Sequence, residues 1–335
     1  MNEKQNSIAL ESSGVVDLNY LDYSALELAF GASKVGLRKR KAEFHSDRDR
    51  CLQIYPEHFH FYRRSKIETR TRGLENYYRS LGYGRIHIEF LISLLAKEYP
   101  QFFTINEQSQ IVNLRCELTK EILCFNRSDL SLDLKNSSVS CRYLDSFDAL
   151  TMQLPGDLVL HQVESDGDRA HTIHLCHANG WSAPWGVGKS FSELHLRFPI
   201  VKKILPMPKK ILESFTKKDA KFERLGAVQF RTSKAFDRHP DISREILNPP
   251  LCPRGENLYL RFERQSFNPV PGSNFFLFYI HTYFTPGKYL VENPEQRKIV
   301  YEFLNQAGEL PRSTKTLEFC AENREALLKI FSEKN

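Results

Sequence analysis

The sequence predicts an α+β protein, with strands through the middle of the chain and helices toward both ends. Residues 258–284 carry two runs rich in aromatic and aliphatic side chains around Asn268-Pro-Val-Pro-Gly272, a hairpin signal. Residues 75–99 read as a helix, because Leu91, Leu94 and Leu95 recur at helical spacing and Pro100 ends the run. Residues 294–304 and 321–331 read as closing helices, the first with an apolar stripe of Ile299, Val300, Phe303 and Leu304.

Strand side chains alternate in direction. In the first run of the hairpin, Leu258, Leu260 and Phe262 therefore point one way, and Tyr259, Arg261, Glu263 and Gln265 the other. The second run, residues 274–284, is apolar on both faces and reads as a central strand. A core strand that turns Arg261 and Glu263 away from its oily side faces either a site or a buried ion pair.

From the N-terminus, residues 1–15 are polar and expected to be disordered. One domain is expected over 16–335, with a helical part to about 104, a sheet core over about 105–290 and closing helices from about 291. A basic run spans 34–41, and a second basic cluster holds Arg63, Arg64, Lys66, Arg70 and Arg72. Either could contact nucleic acid or form a solvated face, and no aromatic or glycine-rich recognition motif lies nearby. Short alternating strands are expected around Asn113 to Glu117 and Leu130 to Leu134. Residues 147–160 mix a helical segment with the strand-like run from Asp157. Thr172-Ile-His-Leu-Cys176 reads as a strand closed by Asn179-Gly180. Residues 201–221 read as basic and partly helical, and the next strand as Ala227 to Thr232.

A length of 335 residues allows one large domain or two modest ones, and a net charge of +6 only weakly suggests an acidic partner. Seven cysteines without a Cys-x-x-Cys pair argue against a disulfide framework or zinc ribbon and for a reducing cytoplasm. The N-terminus lacks the apolar region of a signal peptide, and no apolar run reaches the ~20 residues that cross a bilayer. A soluble cytoplasmic protein without a membrane partner is expected.

Histidines concentrate at 161, 171, 174, 177 and 195. No His-Glu-x-x-His helix is present, and on an extended segment His174 faces away from His171 and His177, which argues against a shared ion. Cys176 reads as a thiolate ligand or, more commonly, a small buried hydrophobe. Taken alone, His195 reads as a structural histidine, Trp181 as a core residue and Glu263 with Arg261 or Arg264 as a sheet-face ion pair. Dinucleotide and Walker loops and a Gly-x-Ser-x-Gly elbow are absent.

Three separated stretches resemble the heme-dependent oxidative N-demethylase family. Leu175-Cys176-His-Ala-Asn-Gly180-Trp181 resembles a family strand ending in Cys-Phe-Pro-Ser-Gly-Trp. Gly188-Lys-Ser-Phe-Ser-Glu-Leu-His195-Leu-Arg-Phe-Pro199 resembles its Gly-x-Pro-Leu-x-x-Ile-His-x-Pro-Val-Pro run. Most specific, Arg261-Phe-Glu263-Arg264-Gln265-Ser266 and Phe278-Tyr-Ile-His-Thr-Tyr283 are similar to its Arg-x-Glu-Arg-Gln-Thr strand and the strand that follows. The likeness covers roughly residues 145–335. The family's Arg-x-Asn-Trp becomes Arg231-Thr-Ser233-Lys234, its Glu-Asp pair becomes Gly156-Asp157, and its Tyr-Lys-Gly is replaced around Ser313 to Thr316.

The resemblance implies a PAS-like antiparallel sheet core binding heme b. It places the iron's axial ligand at His195 and a partner carboxylate for that imidazole at Glu263. Arg231, Arg261 and Arg264 are then the expected partners of the heme propionates, and Trp181 a packing surface for the macrocycle. The implied activity is monooxygenase N-demethylation of a small amine with O2, through a carbinolamine that releases formaldehyde. Electrons would come from a separate reductase or ferredoxin-like protein, because flavin, nicotinamide and iron–sulfur signatures are absent. The alternative is a heme-binding PAS-like sensor or carrier without turnover; a nucleic-acid-binding protein is the weaker third reading.

Overall fold

The computed structural model describes residues 38–39, 50–135, 142–177, 181–195, 209–218, 221–236, 248–307 and 315–332. The chain is α+β, and its described strands form two sheets, of seven and four strands, with every pairing antiparallel. The large sheet runs β1 (Arg38–Lys39), β9 (Phe222–Arg231), β10 (Tyr259–Pro269), β11 (Phe275–Pro286), β7 (Asp157–Val163), β8 (Asp168–His174), β2 (Tyr78–Ser80). The small sheet is a meander of β3 (Phe103–Gln108), β4 (Ile111–Cys116), β5 (Ile122–Asn126) and β6 (Leu132–Lys135).

The expected hairpin is the centre of the large sheet. Both of its strands lie between neighbours, and both are buried almost end to end. Strand alternation divides their residues between two layers. Leu260, Phe262 and Tyr283 face the closing helices α8 (Pro294–Ala307), α9 (Lys315–Glu322) and α10 (Arg324–Phe331), meeting Val300, Leu304 and Leu327. Farther along the same face, Leu158, Leu160, Leu277 and Tyr279 pack with Leu91 and Leu95 of α2 (Arg85–Glu98), against which the small sheet closes. On the opposite face, Val159, Phe267, Phe276 and Phe278 meet three short helices: α4 (Ala183–Gly186), α5 (Phe191–His195) and α6 (Lys209–Phe215).

Some expected elements shift. The helix expected at 75–99 begins only at Arg85, because Gly82 takes a φ of 119° and Gly84 supplies the N-cap; Tyr78–Ser80 becomes an edge strand instead. β9 starts five residues before the expected Ala227, and the segment expected at 321–331 divides into α9 and α10. Of the basic run at 34–41, Arg38 and Lys39 form β1; its other residues, like the tail at 1–15, lie outside the described residues.

The second basic cluster turns inward, which overturns the nucleic-acid reading for its central members. All of it but Arg72, the C-cap residue, sits on α1 (Pro56–Thr71). Arg63 donates to Glu121 at 2.9 Å and to the carbonyl of Met152, while Lys66 donates to the carbonyls of Thr151 and Gly156. Arg70 pairs with Asp148 at 2.5 Å. Buried charges need partners, and this helix meets three different elements with them. Gly156 itself admits no side chain, since a Cβ there would lie 2.5 Å from the Tyr279 ring and 2.6 Å from the Ile280 carbonyl.

Phe267 is fully buried and stacks at 4.7 Å on Phe278 and at 4.5 Å on Phe215, so it holds β10, β11 and α6 together. Phe267→Ala should destabilise the protein by about 3–5 kcal/mol, read as a fall in the urea midpoint at unchanged slope.

Candidate functional site

The face of the large sheet opposite the closing helices carries a polar cluster. The register sets Arg224 opposite Gln265, Gly226 opposite Glu263 and Arg231 opposite Tyr259, with Thr282 across from Glu263 on the other side. A bulge in β9, opposite the step from Arg261 to Glu263, shifts its alternation by one residue. Arg224 and Arg231 therefore share the face of Arg261 and Glu263, although they are an odd number of positions apart.

Within this group Arg261 donates to Glu263 at 2.7 Å and to the Thr282 hydroxyl at 3.3 Å. Gln265 donates to the second Glu263 oxygen at 2.8 Å and accepts from Arg224 at 2.5 Å. The Arg261 and Glu263 side chains are 1% and 7% exposed, so this pair works in a medium of low dielectric. Burial pushes the Arg224 guanidinium down to about 10, against the pull of Glu263. Beside Glu263, among the described residues, a Cβ on Gly226 would meet only the Gln265 amide oxygen, 4.0 Å away.

Apolar groups complete the surroundings. Phe191, at the start of α5, packs against Phe267 and Phe278, and the Arg224 guanidinium lies 5.7 Å from its ring. The helix that ends in His195 thus rests on the same sheet face as Glu263. The His195 side chain lies outside the described residues. Trp181 is half-buried in the same apolar layer, with its indole against Gly186 and near Ile173.

Arg264 is not part of this group. It projects from the other face of β10, bonded to Glu223 at 2.5 Å and to the carbonyls of Arg50 and Cys51. Its cross-strand neighbour is His281, buried between Tyr62 and Tyr283 with ring centroids at 4.8 and 4.3 Å. Neither His281 ring nitrogen has a hydrogen-bond partner among the described residues. Burial, with Arg264 and Lys66 adding to it, holds this imidazole well below its ordinary pKa.

Arg224 and Gly226 escaped the sequence reading because β9 was expected to begin after them. The signal was present in the alternating run from Phe222, but the bulge breaks its parity. Arg231, Arg261 and Glu263 were singled out, and the structure brings them onto one face.

The Arg261–Glu263 pair yields a testable energy. Removing one partner strands a buried charge, so Arg261→Met or Glu263→Gln alone should cost about 3 kcal/mol or more. The double variant should lose clearly less than the sum, read from denaturant curves as a double-mutant cycle. His281 yields a pH dependence. Its folded pKa is depressed, so below ~6.5 the unfolded chain binds a proton that the folded chain refuses. Stability should fall by up to about 1.4 kcal/mol per pH unit below that point, and His281→Phe should remove this component of the slope.

No curated protein matches the chain. Among protein families, residues 60–317 match the one described as "Haem-dependent oxidative N-demethylase, alpha subunit-like". That match spans well over half of the sequence, including the small sheet, most of α1 and the whole polar cluster on β9, β10 and β11. The chain belongs to the heme-dependent oxidative N-demethylase alpha subunit-like family.

Proposed function

We propose that the chain binds heme b on the Glu263 face of the large sheet and carries out oxidative N-demethylation of a small amine, with O2 consumed and formaldehyde released. The observation that carries the reading is the meeting of three parts on one sheet face in a chain of this family. These are the helix ending in His195, the Arg261–Glu263–Gln265 network and the room that the described residues leave at Gly226. The residues present fit the group. Val159, Phe278 and Ile280 offer an apolar bed, while Arg231 and Arg261 offer guanidinium groups for propionates. Trp181 would extend the apolar wall, and Arg264, on the other face, has no part.

Heme bound here would supply oxygen activation at its iron, and His195 would hold that iron. The chain's own residues would set the properties of that ligand. Glu263 already accepts from Arg261 and Gln265, but a carboxylate has about four acceptor positions. It can also accept the second N–H of the His195 ring, which would fix the tautomer and make the imidazole a stronger donor. Arg261 and Gln265 hold the Glu263 carboxylate in place, and Gln265 passes that restraint on to Arg224.

The five strands β7 to β11 also suit a PAS-like core. Counted from β7, their order across the sheet is second, first, fifth, fourth, third, with the short helices α4–α6 crossing between the second and third. Electrons would come from a separate reductase or ferredoxin-like protein, and the family's description as an alpha subunit suits a chain that works with others. A cytoplasmic setting agrees with the six free thiols among the described residues, and no described helix is long and apolar enough to cross a membrane.

The test is an absorption spectrum of the purified chain before and after hemin, followed by a formaldehyde assay with small methylamines, O2 and a supplied reductant. A Soret band that shifts on reduction and is lost in His195→Ala, with formaldehyde formed, is the expected result. A spectrum that hemin cannot alter overturns heme binding. Heme binding without formaldehyde from any amine overturns the turnover and leaves a sensor or carrier.

A further inference from the structure

A second cluster lies where β7 begins and β8 ends. Antiparallel pairing sets Leu158 opposite His174, so Asp157, His174 and Cys176 converge at that end of the sheet. All three are buried, and one ligand-type atom from each lies within 4.8 Å of the others. Cys176 Sγ is 3.8 Å from His174 Nδ1. His174 Nε2 is 3.0 Å from an oxygen of Asp148, which Arg70 and the Leu144 N–H hold in place. The Asp157 oxygens accept from the backbone N–H groups of Cys176 and His177, at 2.7 and 2.9 Å.

We propose that Asp157, His174 and Cys176 bind a single divalent ion of the zinc type, separate from the heme. Thiolate, imidazole and carboxylate are the three donors zinc takes, and this set supplies one of each within coordination range. His174 carries the orientation that metal-binding imidazoles need. The nitrogen away from the cluster is fixed on the Asp148 carboxylate, which leaves Nδ1 toward Cys176 and Asp157. Each Asp157 oxygen keeps a lone pair beyond its backbone bond.

Coordination releases the Cys176 proton to solvent. The thiolate and Asp157 then match the two charges of the ion, while Asp148 and Arg70 compensate each other. Lys66, beside Cys176 and Asp157, is already tied to the carbonyls of Thr151 and Gly156.

Because the cluster is sealed, the ion must be present while the chain folds. The full chain would be expressed in zinc-supplemented medium and desalted. Its zinc content would be measured, and the metal's shell read by X-ray absorption. The expected result is about one zinc per chain with a single sulfur at about 2.3 Å and nitrogen or oxygen at about 2.0–2.1 Å. Asp148→Asn, which removes no ligand, should weaken retention against a chelator roughly 10- to 100-fold, with its circular dichroism unchanged. A chain without zinc, or zinc with no sulfur in its shell, overturns the proposal in the wild-type protein alone. So does a sulfur signal that persists in Cys176→Ser. None of these readouts depends on heme, so this site and the heme reading can fail independently.

Discussion

A charge taken from water into a protein interior costs several kcal/mol unless a partner meets it. The described chain buries Arg63, Lys66, Arg231, Arg261 and Arg264 together with Glu98, Glu121, Asp148, Asp157 and Glu263. Cations and carboxylates are thus equal in number among the described buried residues. Much of the architecture follows from where their partners are. Glu98 at the end of α2 accepts from the N–H groups of Cys51 and Leu52 and so fixes the chain that enters α1. Arg63 ties α1 to Glu121 at the start of β5, and Glu121 also accepts from Tyr143 and Gln153. Arg264 holds the segment around Arg50 and Cys51 against the sheet. Apolar packing supplies most of the cohesion, but these directional links decide which layers meet.

The same constraint separates the two sides of β10. On one side Arg264 is used up in structural bonds to Glu223 and two carbonyls. On the other, Arg224, Arg231 and Arg261 stand with Glu263 in a row, and Gly226 opposite Glu263 leaves room among the described residues. The residues Arg261, Glu263 and Arg264 are neighbours in sequence, yet the pleat gives them unlike tasks. A site built this way gains its stiffness from a strand that is hydrogen-bonded on both edges.

Strand existence was legible because β10 and β11 combine alternation with a Pro/Gly turn, and Leu260, Phe262, Arg261 and Glu263 lie on the faces that alternation assigned. The stripe of the first closing helix was legible for the same reason: Val300 and Leu304 are fully buried. Parity across a bulge was not, since the extra residue between Gly226 and Gln229 has no mark in composition. Nor was the inward turn of Arg63 and Lys66. A run of basic residues on a helix looks solvated until the acceptors appear, and those are Glu121 and carbonyls of Thr151, Met152 and Gly156, far along the chain. The Asp157, His174 and Cys176 cluster was hidden similarly. A single strand cannot put all three together; the register between β7 and β8 does.

The two ends of the large sheet have a further consequence, for solubility. Long unpaired strand edges are templates for addition of another chain. β9 and β8 are ten and seven residues long, but neither forms the outer edge. Each is shielded in part by a very short strand, Arg38–Lys39 on one side and Tyr78–Ser80 on the other. These two strands pair with two residues of β9 and three of β8, and so occupy backbone groups at the Phe222 end of β9 and the His174 end of β8 that a neighbouring molecule could otherwise extend. A chain shortened past Lys39 would keep its core and its polar cluster but present the Phe222 end of β9 as an open seam, favouring edge-to-edge self-association over loss of fold.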